Sequence, residues 1–153
     1  MSTDYEIIDG DLRFTRVFDA PRELVFAAWT DPERVQVWWG CAQTTSVAST
    51  VELRVGGAYR HVMQVEGAGE VVLAGEFTEV DPPRKLSYRV QGGPVEGMED
   101  LPDTTTTVEF LERGDQTELR LTISGLSESQ FKDIVTGGWR AGLAKLEGAL
   151  VTA

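Results

Sequence analysis

Residues 126–150, LSESQFKDIVTGGWRAGLAKLEGAL, carry the period of one long helix and decide how the rest of the chain is read. Ser127 followed three residues later by Gln130 has the pattern of a capping box, and Leu126 and Phe131 flank it as a hydrophobic staple would. At about 100° per residue, Phe131, Val135, Trp139, Leu146, Ala149 and Leu150 fall on one side of the helix. Asp133, Arg140 and Glu147 fall on the other, so the helix packs along one face. Gly138 and Gly142 lie within the apolar stripe. Each costs about 1 kcal/mol of helix propensity relative to alanine, and each removes volume from the face turned to the core. Either a large side chain rises from the opposing surface into that gap, or the gap is a cavity.

Upstream of this helix the period changes from helical to twofold. Asp11–Asp19 reads as a strand, closed by Ala20-Pro21. Leu24, Val25, Ala28 and Trp29 then mark a short amphipathic helix. Asp31 as N-cap, Pro32 at the first position and Glu33 near the positive end of the dipole start a second. That second helix carries Val35, Trp38 and Trp39 and is expected to stop at Gly40. From Ser46 the chain alternates: Val47–Leu53, then a Gly56-Gly57 turn. In Ala58–Glu66, Tyr59, His61, Met63 and Val65 share a face. After a turn at 67–69, Glu70–Val80 places Val71, Leu73, Gly75 and Phe77 together. Leu86, Tyr88 and Val90 follow beyond Asp81-Pro82-Pro83, and a hairpin of 105–112 and 117–124 turns at Gly114-Asp115. Strands at this spacing form an antiparallel sheet with one apolar face, and the last helix is the element long enough to cover it. Gln91–Asp103 reads as either a flap or a surface segment that tolerates change, and apolar Met98 and Leu101 favour the flap. Residues 1–10 read as an acidic lead-in, and 11–153 as a single α+β domain.

The chain has 153 residues, 41% hydrophobic and 25% charged, with a net charge of −11. That length supports a core of its own. The acidity opposes binding to nucleic acid or to an anionic membrane surface. A single cysteine, Cys41, precludes an intrachain disulfide, no stretch approaches a membrane span, and the N-terminus lacks a signal-peptide pattern. The expectation is a soluble, cytoplasmic protein.

Phe18-x-Ala20-Pro21-x-Glu23-x-Val25-Phe26-x-Ala28-Trp29-Thr30-Asp31-Pro32-Glu33, followed by Trp38-Trp39-Gly40, resembles the helix-grip superfamily of START domains and birch-pollen allergens. More narrowly it resembles the branch of the C-terminal domain of the activator of the heat-shock-protein ATPase. Leu53-Arg54-Val55-Gly56-Gly57-x-Tyr59, Gly75-x-Phe77-x-Glu79-Val80-x-Pro82-Pro83, Thr117-x-Leu119 and Gly138-Trp139-x-x-x-Leu143-x-x-Leu146 extend the likeness from about Phe14 to Leu150. Cys41 and Val55 depart from it at turns where prolines are common. The resemblance implies a curved antiparallel sheet wrapped around a long C-terminal helix, with two short helices closing one end. It also implies an interior cavity, used for varied apolar ligands or, in some members, for catalysis, and so favours a cavity at Gly138 and Gly142.

Three functions stay open on these grounds. The first is binding of a small, mostly apolar molecule for storage, sensing or transfer. Its candidate contacts are Trp38, Trp39, Tyr59, His61, Met63, Phe77, Tyr88, Gly138, Trp139 and Gly142. Of the successive tryptophans, one is expected to plug the core and the other to line the pocket. The second is a cyclase or hydrolase using His61 and Tyr59 for proton transfer. The third is a chaperone cofactor acting through its surface, with a homodimer also left open. One histidine and one cysteine do not make an ordinary zinc site, no phosphate-cradling or nucleophile motif is present, and no cofactor is expected.

Overall fold

The structure is a computed structural model that describes residues 4–8, 11–39, 44–67, 69–90, 103–125 and 132–151. Eight strands form one antiparallel sheet: β1 (Asp4–Ile8), β2 (Asp11–Phe18), β3 (Thr44–Val51), β4 (Ala58–Val65), β5 (Gly69–Asp81), β6 (Lys85–Val90), β7 (Thr104–Arg113) and β8 (Gln116–Ser124). Their spatial order is β1-β2-β8-β7-β6-β5-β4-β3. Helices α1 (Arg22–Thr30) and α2 (Pro32–Trp38) follow β2, and α3 (Lys132–Val151) ends the chain. This is the helix-grip fold.

Alternation within each strand decides which side chains enter the core. Leu12, Phe14 and Phe18 of β2 and Leu119, Leu121 and Ile123 of β8 are buried, as are Val108 and Phe110 of β7. Leu143, Leu146 and Leu150 of α3 join the same cluster, so the last helix lies on the apolar face. Arg16 shares that inward face of β2 and pairs with Glu147 of α3. The pair ties helix to sheet with a charge that burial alone would disfavour.

Local chemistry sets the bent helix pair. Asp31 is extended (φ −83°, ψ 116°), ending α1 and capping α2, and its carboxylate accepts from the Glu33 N–H at 3.1 Å. The turn after β3 needs its glycines: Gly56 has φ +80°, and a Cβ on Gly57 would collide with the Glu52 carbonyl.

Four boundaries differ from the sequence expectations. Asp4–Ile8 is an edge strand paired with β2 rather than a lead-in. β3 runs Thr44–Val51 instead of 47–53, because Gln64 and Val65 of β4 pair back to Ser46 and Thr44. β5 reaches Asp81 by pairing with Lys85 across the Pro82-Pro83 turn. Trp39 lies outside α2, in an extended conformation (φ −59°, ψ 145°) at its end. The expected capping box at 127–130 and the expected flap at 91–103, apart from Asp103, fall outside the described residues.

Candidate functional site

The β4 pleat presents Tyr59, His61 and Met63 to the interior, 3–5% exposed. Directly across from His61 in the β3–β4 register stands Ser49, and its Oγ lies 2.9 Å from His61 Nδ1. Val51 stands across from Tyr59. On the other flank of β4, Tyr59 faces Gly75 of β5, and the Tyr59 hydroxyl donates to the Arg89 carbonyl at 2.8 Å. Phe77 and Tyr88 are partners across β5 and β6. Their rings close on Tyr59, with Tyr59–Tyr88 centroids 5.1 Å apart and Tyr59–Phe77 centroids 5.6 Å apart.

Tryptophans roof this aromatic floor. Trp39 sits over His61, ring centroids 4.3 Å apart. Trp139 of α3 stacks on Trp29 at 5.8 Å and meets Trp39 edge-on at 5.5 Å. The Lys145 ammonium donates to the Trp39 carbonyl at 3.2 Å, holding the end of α2 against α3 as a basic side chain does at a helix C-terminus.

Between floor and roof is a cavity of about 10 Å³, lined by Trp29, Trp39, Val51, Tyr59, His61, Phe77, Leu86 and Tyr88. That is room for about one water-sized atom. Trp29 Nε1, Trp39 Nε1 and the Tyr88 hydroxyl are buried without a hydrogen-bond partner among the described residues. Trp29 and Thr106 are the polar neighbours of the Tyr88 hydroxyl and favour its ionised form slightly, but neither meets it at bonding geometry. Burial dominates the ionisation of every titratable group here. It lowers His61 from 6.5 to about 4, leaving a neutral imidazole at neutral pH, and raises both Tyr59 and Tyr88.

Of the residues singled out from the sequence, Trp39, Tyr59, His61, Phe77 and Tyr88 come together around the cavity. Trp38 does not line it: its side chain is 1% exposed, and its indole donates to the Ala28 carbonyl at 2.8 Å, locking α2 onto α1. Met63 is buried further along β4, and Trp139 supports the roof from behind. Gly142 is buried in α3, while the surroundings of Gly138 fall outside the described residues. Among the described residues, this cavity is lined from β3–β6 and the segment of α1 and α2, with no lining side chain from α3. Trp29, Val51 and Leu86 line it without having been singled out. The signal for Trp29 was available, since all four tryptophans fall at 29, 38, 39 and 139.

The described residues contain no cluster of three His, Cys, Asp or Glu side chains able to hold a metal ion. None of the described helices is long and apolar enough to cross a membrane.

Comparison with known proteins agrees with the fold. The family model of activator of Hsp90 ATPase homolog 1-like proteins matches residues 19–151. A protein from Arthrobacter aurescens superposes with a TM-score of 0.85 at 22% identity, covering 100% of this chain and 92% of that one. One from Nitrosomonas europaea gives 0.79 at 22% identity, covering 96% and 98%. The AHSA1 protein from Silicibacter pomeroyi gives 0.78 at 24% identity, covering 93% and 98%. At these identities the superpositions speak for fold. No curated protein matches the chain.

Proposed function

The chain belongs to the activator of Hsp90 ATPase homolog 1-like family, and we propose that it binds a small, mostly apolar molecule between the inner face of β3–β6 and two tryptophans, Trp29 of α1 and Trp39 just beyond α2. The observation that carries this reading is the coincidence of an aromatic enclosure with buried polar atoms that the protein leaves unpartnered at Trp29, Trp39 and Tyr88. Buried donors without partners are costly, commonly about 1–3 kcal/mol each, and native folds rarely gather several at one place. Ligand sites are enclosures of this kind, mostly apolar with a few placed polar groups. The cavity's volume is that of one small atom. A larger guest therefore enters by parting the tryptophan roof, which hangs on two short helices, from the sheet.

Proton-transfer catalysis by His61 and Tyr59 has less support. The Tyr59 hydroxyl is committed to a main-chain carbonyl and its ionisation is suppressed, while His61 titrates near 4. Neither is tuned near neutral pH, where a general acid or base works best. Native mass spectrometry of freshly purified protein tests the binding reading. A retained small molecule, or saturable uptake of an environment-sensitive apolar dye lost in Trp39→Ala, supports it. A protein that carries nothing and takes up no dye refutes it.

A further inference from the structure

We infer that the cavity receives the oxygen of an uncharged carbonyl compound, such as a ketone, ester or amide, in preference to a carboxylate or a plain hydrocarbon. This rests on the binding reading above and adds the chemical class of the guest.

Hydrogen-bond accounting carries the inference. An indole N–H donates and accepts nothing, while a phenol can do both. Trp29 Nε1 and Trp39 Nε1 therefore each need an acceptor. If the Trp29 N–H turns toward its neighbour, the Tyr88 oxygen, the phenolic proton and the Trp39 N–H still require acceptors. The Arg89 carbonyl takes the Tyr59 hydroxyl, Ser49 Oγ is paired with His61 Nδ1, and Thr106 Oγ1 is the acceptor beside the Tyr88 hydroxyl, so the Trp39 N–H is the donor left over. The site thus has a donor in surplus at Trp39. A carbonyl oxygen offers two lone pairs and no proton, and a space of about 10 Å³ fits one oxygen.

Charge narrows the class. No lysine or arginine is among the described lining residues, and the Lys145 ammonium is directed at the Trp39 main-chain carbonyl. The imidazole beside the cavity is neutral at neutral pH. A carboxylate seated here would be a buried charge without a counter-ion, far more costly than a buried carbonyl. A hydrocarbon would leave the Trp39 donor unserved.

The test uses three non-aromatic probes of similar shape: cyclohexanone, methylenecyclohexane and cyclohexanecarboxylate. Lacking aromatic rings, they shift indole resonances by bonding and not by ring currents. In the proton–nitrogen spectrum of the intact protein, cyclohexanone should move the Trp39 indole N–H downfield, and that of Trp29 with it. The Trp38 N–H, already bonded to Ala28, should stay in place. The ketone should bind roughly 3- to 10-fold tighter than the isosteric alkene, the scale of one net hydrogen bond, and tighter than the carboxylate at pH 7. In Trp39→Phe the ketone's advantage over the alkene should shrink toward parity. Equal binding of ketone and alkene with unmoved indoles would overturn the inference and leave the binding reading standing. Tightest binding of the carboxylate would overturn it in favour of an acid. No perturbation of any cavity residue by any of the three would overturn both.

Discussion

Tyr59 lies across from Gly75 in the β4–β5 pair, and the missing side chain at Gly75 is what lets the Tyr59 hydroxyl reach the Arg89 carbonyl of β6. A Cβ at position 75 would run into that carbonyl and come within 3.0 Å of the Tyr59 oxygen. The first obstacle is backbone, so relief requires moving β6 itself. Gly75→Ala should therefore destabilise the fold by about 2 kcal/mol or more, the range of an overpacked site. Tyr59→Phe, which removes only the hydroxyl, should cost about 1 kcal/mol. Denaturant midpoints of both variants check this. A Gly75→Ala protein as stable as wild type would mean that β5 and β6 do not approach as described.

The successive tryptophans should respond in opposite ways. Trp38 is fully buried and donates to Ala28, so Trp38→Phe loses both packing and a satisfied bond, about 3 kcal/mol. Trp39→Phe deletes an N–H that has no partner, which offsets part of the lost packing, so its stability cost should be at most half as large. Its effect on uptake of an apolar probe should be the larger of the two. Thermal unfolding and dye titration of the pair measure both halves. A reversal of the order in either would show that the two rings have exchanged roles.

Much of the fold is legible in the sequence because strand alternation and turn glycines are local signals. Tyr59, His61 and Met63 on one face of β4 follow from period two alone, and Asp31-Pro32-Glu33 announces α2 by capping chemistry. β1 escaped notice because an edge strand takes its order from backbone bonds to β2, which leave little mark on side-chain pattern. Trp39 was misplaced inside α2 because the helix ends through its extended backbone, and the glycine that marks a stop comes only after it. A glycine in α3 records only the volume it lacks and not which neighbours fill it, so Gly138 and Gly142 do not by themselves define a lining. The unpartnered donors could not be read at all: whether an indole N–H is satisfied depends on orientation, as the contrast between Trp38 and Trp39 demonstrates.

Two glycines on the outer side of α3 offer a test of that contrast. Gly137 and Gly148 are exposed, and a Cβ on either would meet no atom within 4 Å. Alanine there should gain helix propensity at no steric cost, about 0.5–1 kcal/mol each. The sites are far enough apart along α3 for the gains to add. Apolar-dye uptake should be unchanged in both variants. A loss of stability at either position would indicate that this side of α3 is covered by something the isolated chain does not show.

His61 gives the protein a pH dependence of defined sign. Among the described residues it meets Ser49, Trp39 and Tyr59, and of these Tyr59, the titratable one, ionises above its ordinary range, outside the relevant window. Burial lowers the folded-state value of His61 from 6.5 to about 4. The unfolded chain therefore takes up a proton between these values and the folded chain does not, so stability rises with pH across that interval. The contribution is fully present above about 6.5, declines as pH falls, and levels off below about 4. At about 1.4 kcal/mol per pH unit the whole interval is worth roughly 3 kcal/mol. Acidic side chains add a pH dependence of their own, so the quantity to measure is the difference between wild type and His61→Gln, whose amide can still meet Ser49 but cannot titrate. Denaturant midpoints from pH 4 to 7.5 should show the two proteins converging toward acid, with the wild type falling more steeply. An occupant bonded to the neutral imidazole would push the histidine value lower still, whereas an anionic one would raise it. Parallel stability curves for the two proteins would place His61 in contact with water and remove it from the enclosure.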